Sequence, residues 1–144
     1  DTAREVRKRG MKNILVTNGA FTEETEDAVL SYIDAMNIDL KGFTESYYKK
    51  LGGDLETVKA FIEKAVKVCH VELTTLVVPG ENDSVSEQNL AKWTASLSCE
   101  IPLHVTRFFP RWKMQDREAA DVRKVYRLAE EAGKYLKYVY TGNC

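Results

Sequence analysis

Cysteine is scarce in this chain and badly placed for joint work. Cys69, Cys99 and Cys144 are odd in number and far apart, with no Cys-x-x-Cys pair among them. That excludes a disulfide framework, and it excludes a zinc or iron–sulfur site built by this chain alone. A reducing compartment, the cytoplasm, is the expectation that follows. Net charge is also nearly absent, at -1 across 144 residues, so neither a nucleic-acid patch nor a polybasic membrane surface is expected. Long apolar runs are missing too. The longest are strand-sized, against the roughly 20 residues of a membrane helix. Asp1 to Arg9 is a charged run rather than a signal peptide.

What remains is an ordinary soluble composition, 44% hydrophobic and 30% charged, of a size for one domain spanning 1–144. Strand and helix patterns alternate along it. Thr2 to Arg9 reads as a polar helix closed by Gly10. Lys12 to Thr17 reads as a strand with Ile14, Leu15 and Val16 as a continuous apolar core. Thr22 is a candidate N-cap for a helix with an acidic first turn, and Ala35 to Leu40 is the second strand. Asp54 caps a helix whose Leu55, Val58, Phe61, Ile62, Ala65 and Val66 form a stripe of period 3.6. Val71 to Val78 is the third strand. Ser84 and Glu87 have capping-box spacing ahead of Leu90, Trp93 and Leu97. Leu103 to Phe109, a helix with Val122, Val125, Tyr126 and Ala129 as its expected buried side and Gly133 at its end, and Leu136 to Tyr140 complete the series.

This alternation implies α/β architecture with parallel strands and crossover helices. A full eight-strand barrel takes about 250 residues, so five strands in this chain make a partial, TIM-like (β/α) barrel. In such barrels chemistry sits at the carboxyl ends of the strands. Those ends are Thr17-Asn18-Gly19, Asp39-Leu40-Lys41-Gly42, Val78-Pro79-Gly80 with Asn82-Asp83, Arg107 with Phe109-Pro110, and Thr141-Gly142-Asn143. Trp112 and Lys113 lie in the loop after Phe109. The opposite loops, Ile33-Asp34 and Lys67 to His70, show no comparable polar cluster. Asp39 and Lys41 are two residues apart and share one face of an extended chain. One charge of each sign at a strand mouth can grip a zwitterion; the plainer alternative is a structural ion pair. Taken singly, Asn18-Gly19 and Pro79-Gly80 are turn chemistry and Trp112 a cover for apolar surface; on one rim they favour a binding mouth.

Thr17-Asn18-Gly19, Asn37-Ile38-Asp39-Leu40-Lys41-Gly42, Val77-Val78-Pro79-Gly80-Glu81-Asn82-Asp83-Ser84 and Arg107-Phe108-Phe109-Pro110, in this order, resemble the radical S-adenosylmethionine enzymes. The nearer resemblance is to the pyruvate formate-lyase activating enzymes, and it runs from Asn13 to Asn143. It implies a partial barrel holding a [4Fe–4S] cluster and S-adenosylmethionine, from which a 5′-deoxyadenosyl radical arises and abstracts hydrogen. For activating enzymes the partner is a glycyl-radical enzyme. The resemblance assigns Asp39 to the amino group of the methionine moiety and Lys41 to its carboxylate. It puts Asn18 near the cofactor's polar groups, with Val78 and Gly80 along its nucleoside. Thr75, Arg107, Phe109 and Asn143 are the remaining candidates for a substrate contact or the rim. The family often carries an acid just before Thr-Asn-Gly, where Val16 stands, and a His where Phe109 stands.

The Cys-x3-Cys-x2-Cys loop of the family and the Gly-Gly-Glu strand end after it have no counterpart here. The expectation is a carboxyl-terminal portion of a longer oxidoreductase or activase, inactive alone and binding no cluster. Its missing partner is then the amino-terminal part of its own barrel. Two open sheet edges and an apolar concave face are expected to drive self-association. Two other classes compete. A Schiff-base aldolase-type barrel would use Lys41 as nucleophile, although Asp39 beside it favours the protonated amine. A non-enzymatic half-barrel serving as an interaction module would bind neither metal nor cofactor.

Overall fold

Apolar residues at every second position of the strands decide which side of the sheet is covered. The computed structural model describes residues 1–83 and 85–144, with side chains outside 84–87. The elements are α1 (Thr2–Lys8), β1 (Ile14–Thr17), α2 (Glu23–Leu30), β2 (Ala35–Asp39), α3 (Glu45–Lys50), α4 (Leu55–Ala65), β3 (His70–Val77), α5 (Val85–Leu97), β4 (Leu103–Arg107), α6 (Val122–Ala132) and β5 (Val139–Gly142). A 3-10 turn at Trp112–Met114 interrupts the loop after β4. The five strands form one sheet in chain order, every neighbouring pair parallel. This is the expected α/β half-barrel.

Met36, Ile38, Val71, Leu73, Val77, Leu103 and Val105 turn to one side and are buried beneath the helices. Helix α4 supplies the matching stripe, Leu55, Val58, Phe61, Ile62 and Ala65, all buried. Asp54 caps it as expected, its carboxylate accepting hydrogen bonds from the Thr57 backbone N–H (2.8 Å) and hydroxyl (2.9 Å). Phe61 packs on Phe21 with ring centroids 4.6 Å apart, which ties α4 to the segment after β1. The Ser84–Glu87 capping box lies outside the described residues.

The other side of the sheet departs from expectation. Ile14 and Val16 are 74% and 73% exposed, and only Leu15 of that strand packs on the core. A strict alternation, not a continuous apolar core, governs β1. Beyond β1 the concave face is mostly polar, not apolar. Across β2, β3 and β4 it carries Asn37, Asp39, Glu72, Thr74, His104 and Thr106, half-buried. The Thr74 hydroxyl donates to Asn37 Oδ1 (2.7 Å), and Glu72 bonds both His104 (2.7 Å) and His70 (3.2 Å). The parallel register sets Asp39, Thr74, His104 and Tyr140 in one row across the four strands.

Two elements were not legible from periodicity. Helix α3 is only six residues long, too short for a stripe, yet Thr44 caps it by accepting from the Tyr47 N–H. Strand β5 begins at Val139 rather than Leu136. Leu136 is buried in the turn after α6, its N–H bonded to the Ala132 carbonyl, and the ladder with β4 starts at Leu103 and Val139.

Candidate functional site

The first two strands end in tight, self-bonded corners. After β1, the Asn18 side chain accepts from the Ala20 N–H (3.1 Å), an Asx turn, and the Thr17 hydroxyl accepts from the Gly19 N–H (3.2 Å). Gly19 has φ +71°, and a Cβ there would lie 3.0 Å from Ile38 Cγ2 and 3.2 Å from Val58 Cγ1. Only glycine brings the chain so close to the core in that conformation. After β2, Lys41 and Asp39 share a face, and Lys41 Nζ donates to Asp39 Oδ2 at 2.5 Å. Both side chains keep about a third or more of their surface, 40% and 33%, so a ligand can reach either charge. The Lys41 N–H donates to the Tyr48 hydroxyl (3.1 Å). Burial pushes the Tyr48 phenol up to about 12, against the opposing effect of that hydrogen bond and with help from the Asp39 charge. Tyr48 therefore stays a neutral bracket under the Lys41 backbone.

The loop after β3 is held at three consecutive residues. Asn82 is 1% exposed. Its amide donates to the Lys41 and Leu76 carbonyls, each at 2.7 Å, and accepts from the Val78 N–H at 2.7 Å. One side chain thus fastens the end of β2 to the end of β3 and fills the hydrogen-bonding needs of both. Glu81 accepts from Lys50 of α3 (2.8 Å) and from Arg117 (2.9 Å), one cation on each oxygen. Asp83 pairs with Lys124 of α6. Asn82 and Asp83 were recognisable as rim residues; that they organise the loop carrying Val78 and Gly80 was not.

These arrangements enclose a hollow of about 390 Å³ at the carboxyl ends of the first three strands, walled by Asn18, Lys41, Tyr47, Val78, Phe108 and Met114. Asn18, Lys41 and Val78 line one hollow, and Asp39 is bonded to Lys41. Gly80 lies two residues beyond Val78 in the loop and is not part of this wall. Tyr47 and Tyr48 come from α3, whose only sequence signal is a Thr cap ahead of an aromatic pair and a Gly52-Gly53 stop. A second hollow of about 560 Å³ shares Leu76 and Phe108 with its surroundings and is walled by Arg107, Phe109, Arg111 and Asn143. Thr75 is corrected. It is fully buried, on the helix side with Val71, Leu73 and Val77, and its hydroxyl has no hydrogen-bond partner among the described residues. The alternation of β3 turns it away from the rim.

The carboxylates that fasten this loop make its stability depend on acid. Hydrogen bonds from Lys50 and Arg117 hold Glu81 below the usual carboxylate range. Burial opposes the Asp83 charge, but Lys124 and backbone N–H groups outweigh it and lower that carboxyl too. His104 and then His70 do the same for Glu72. Depressed folded-state values mean stabilisation that is complete above the unfolded carboxylate range, about 4, and is lost as pH falls through the folded values. The urea midpoint is therefore expected to fall steadily from pH 5 towards 3, with Glu81→Gln flattening part of the slope. An unchanged slope in that variant would remove Glu81 from the account.

An iron–sulfur cluster does not fit the cysteines present. Cys69 and Cys99 precede β3 and β4, at the amino ends of the strands, whereas Cys144 follows β5 at the carboxyl ends. Among the described residues no three His, Cys, Asp or Glu side chains gather as a metal site, and no helix is long and apolar enough to cross a membrane.

The charged pair and the hollow lie at the carboxyl ends of a parallel half-barrel, the end at which such barrels do their chemistry. The family model for the radical SAM superfamily matches residues 1–89, and the chain belongs to that superfamily. An uncharacterized protein of Methanocaldococcus jannaschii is 37% identical over 99% of this chain, which spans 44% of that relative's length. The fold is similar to a domain of a pyruvate-formate lyase-activating enzyme from Bacteroides vulgatus. The TM-score is 0.83 at 15% identity, covering 99% of this chain and 88% of that one. It is also similar to TYW1 with a lysine-pyruvate adduct bound (TM-score 0.60, 16% identity, 93% and 44% covered). An archaeal TYW1 matches with a TM-score of 0.61 at 16% identity, covering 93% of this chain and 43% of that one.

Proposed function

We propose that this chain forms the S-adenosylmethionine-gripping part of a hydrogen-abstracting radical enzyme whose cluster is held by residues outside it. The observation that carries this is the convergence of Asn18, Lys41 and Val78 on one hollow, with Asp39 bonded to Lys41 at its mouth. The methionine moiety is a zwitterion, so inserting it exchanges one ion pair for two: Asp39 accepts from the ammonium and Lys41 donates to the carboxylate. Asn18 offers its amide, and Val78 with Phe108 offers apolar surface to the nucleoside. Superfamily membership supports the cofactor, which with a [4Fe–4S] cluster supplies a 5′-deoxyadenosyl radical. The activating-enzyme resemblance adds a glycine of a partner enzyme as hydrogen donor. That part rests on motif likeness and on a fold shared at 15% identity.

A Schiff-base role for Lys41 is the alternative. It needs a free amine lone pair, whereas Nζ donates to Asp39 at 2.5 Å. Calorimetry on the full-length protein tests the choice. Lys41→Ala is expected to weaken S-adenosylmethionine binding by about 1.5–3 kcal/mol, and Asp39→Asn by less, because an amide still accepts a hydrogen bond. Unchanged affinity in both would reduce the pair to a structural bridge. Borohydride trapping of a carbonyl compound on Lys41 would favour the aldolase class.

A further inference from the structure

The hollow of about 560 Å³ adjoins the one proposed for S-adenosylmethionine, sharing Leu76 and Phe108 with it, and its remaining walls have a different character. Two of the six lining residues are arginines, Arg107 and Arg111, and none is a carboxylate. Arg107 is held in place. Its Nε donates to the Ala120 carbonyl at 2.7 Å, and its guanidinium lies over the Phe109 ring, 4.7 Å from the centroid. A guanidinium carries five N–H donors, so four remain without a partner among the described residues. The Arg111 side chain is exposed and likewise makes no ion pair or hydrogen bond among them. Around the neighbouring loop after β3, by contrast, Lys50, Arg117 and Lys124 are each paired with a carboxylate. Asn143 completes the wall in a left-handed conformation, φ 60°, that asparagine tolerates better than most residues.

Electrostatics gives these two cations a purpose. S-adenosylmethionine has a sulfonium and an ammonium against one carboxylate, a net charge of +1. Two guanidinium groups with no carboxylate in the wall leave this hollow positively charged and suited to an anion rather than to a second cation. Guanidinium also matches carboxylate and phosphate oxygens in a two-point fork. The volume falls within the range of small-molecule pockets, roughly 300–1,000 Å³.

We propose that the hollow walled by Arg107, Arg111, Phe109 and Asn143 is the substrate subsite, and that it takes a small molecule bearing a carboxylate or phosphate group. The proposal deepens the cofactor assignment and rests on it for its purpose, though not for its binding chemistry. A small anionic substrate then stands in place of a glycine on a partner enzyme.

The test is calorimetric titration of the full-length protein at low ionic strength with inorganic phosphate and, separately, succinate, with S-adenosylmethionine as a third ligand. At least one of the two anions should bind. Arg111→Gln should weaken that binding tenfold or more and leave S-adenosylmethionine affinity within twofold; the better-bound anion identifies the group recognised. Arg111→Lys should retain part of the affinity, since it keeps the charge and loses the fork. Lys113→Gln is the control, because Lys113 lies over the Trp112 ring and outside the hollow's wall. It should change anion affinity less than twofold. Equal losses in Arg111→Gln and Lys113→Gln would show a diffuse basic surface and overturn the subsite. No heat from either anion with the native protein would overturn it as well. Arg111-dependent anion binding supports the subsite even if S-adenosylmethionine fails to bind, a result that would count against the cofactor hollow alone.

Discussion

Replacing Asn82 by Ala is expected to destabilise the protein by about 3–4 kcal/mol, since each buried group left unpaired costs roughly 1–3 kcal/mol. Three groups lose their partner at once: the Lys41 and Leu76 carbonyls and the Val78 N–H. At 1% exposure water cannot replace the amide without opening the junction between the ends of β2 and β3. Asn82→Asp should cost nearly as much, because a carboxylate has no donor for the two carbonyls. Urea unfolding measures both. A fall in midpoint with an unchanged m-value is expected, and a loss below 1 kcal/mol would mean the junction holds without the amide. The same substitution should weaken S-adenosylmethionine binding, because Lys41 and Val78 line the hollow proposed for it.

Gly19→Ala is expected to cost about 2–5 kcal/mol. The left-handed backbone at φ +71° accounts for roughly 1–2 kcal/mol of this, and forcing a methyl against Ile38 and Val58 for about 1–3 kcal/mol. Gly10 separates the two contributions. It has φ +72° but no atom within 4 Å of the site of a Cβ, so Gly10→Ala should show the backbone cost alone. Adding Val58→Ala to Gly19→Ala removes one of the two overlapping groups. Its effect should then be smaller than the sum of the single changes. Equal losses at Gly10 and Gly19 would show that the corner after β1 yields and that its closeness to the core is not what requires glycine.

The parallel sheet and its crossover helices were legible because they depend on patterns longer than a turn. The stripe on α4 and the alternation of strand and helix are examples. The inner side of β1 was misjudged for a definite reason. Three consecutive apolar residues read as a strand buried on both sides, yet Ile14 and Val16 belong to the face that β2 and β3 furnish with Asn37 and Glu72. A one-strand pattern cannot reveal what neighbouring strands place in the same row. Asp39 and Lys41 could be paired from spacing alone, because two residues on an extended chain share a side. Asn82 could not, since its role depends on two carbonyls and an N–H contributed by three separate residues. Thr75 was misplaced through proximity to the strand end, where parity, not distance from the end, decides which way a side chain turns.

The row of polar groups across β2, β3 and β4 has a consequence for how molecules reach the strand ends. Barrel interiors are ordinarily filled by bulky branched side chains that behave as a solid plug. Here a carboxylate is shared by two imidazoles, and a hydroxyl is bonded to an amide, on the surface that would be the lumen. Such a wall prefers hydration. Approach along it requires shedding and regaining water, a low barrier, rather than parting packed hydrocarbon. Asp39 thus stands in one row with Thr74 and His104, on a stretch of the sheet that favours water over hydrocarbon.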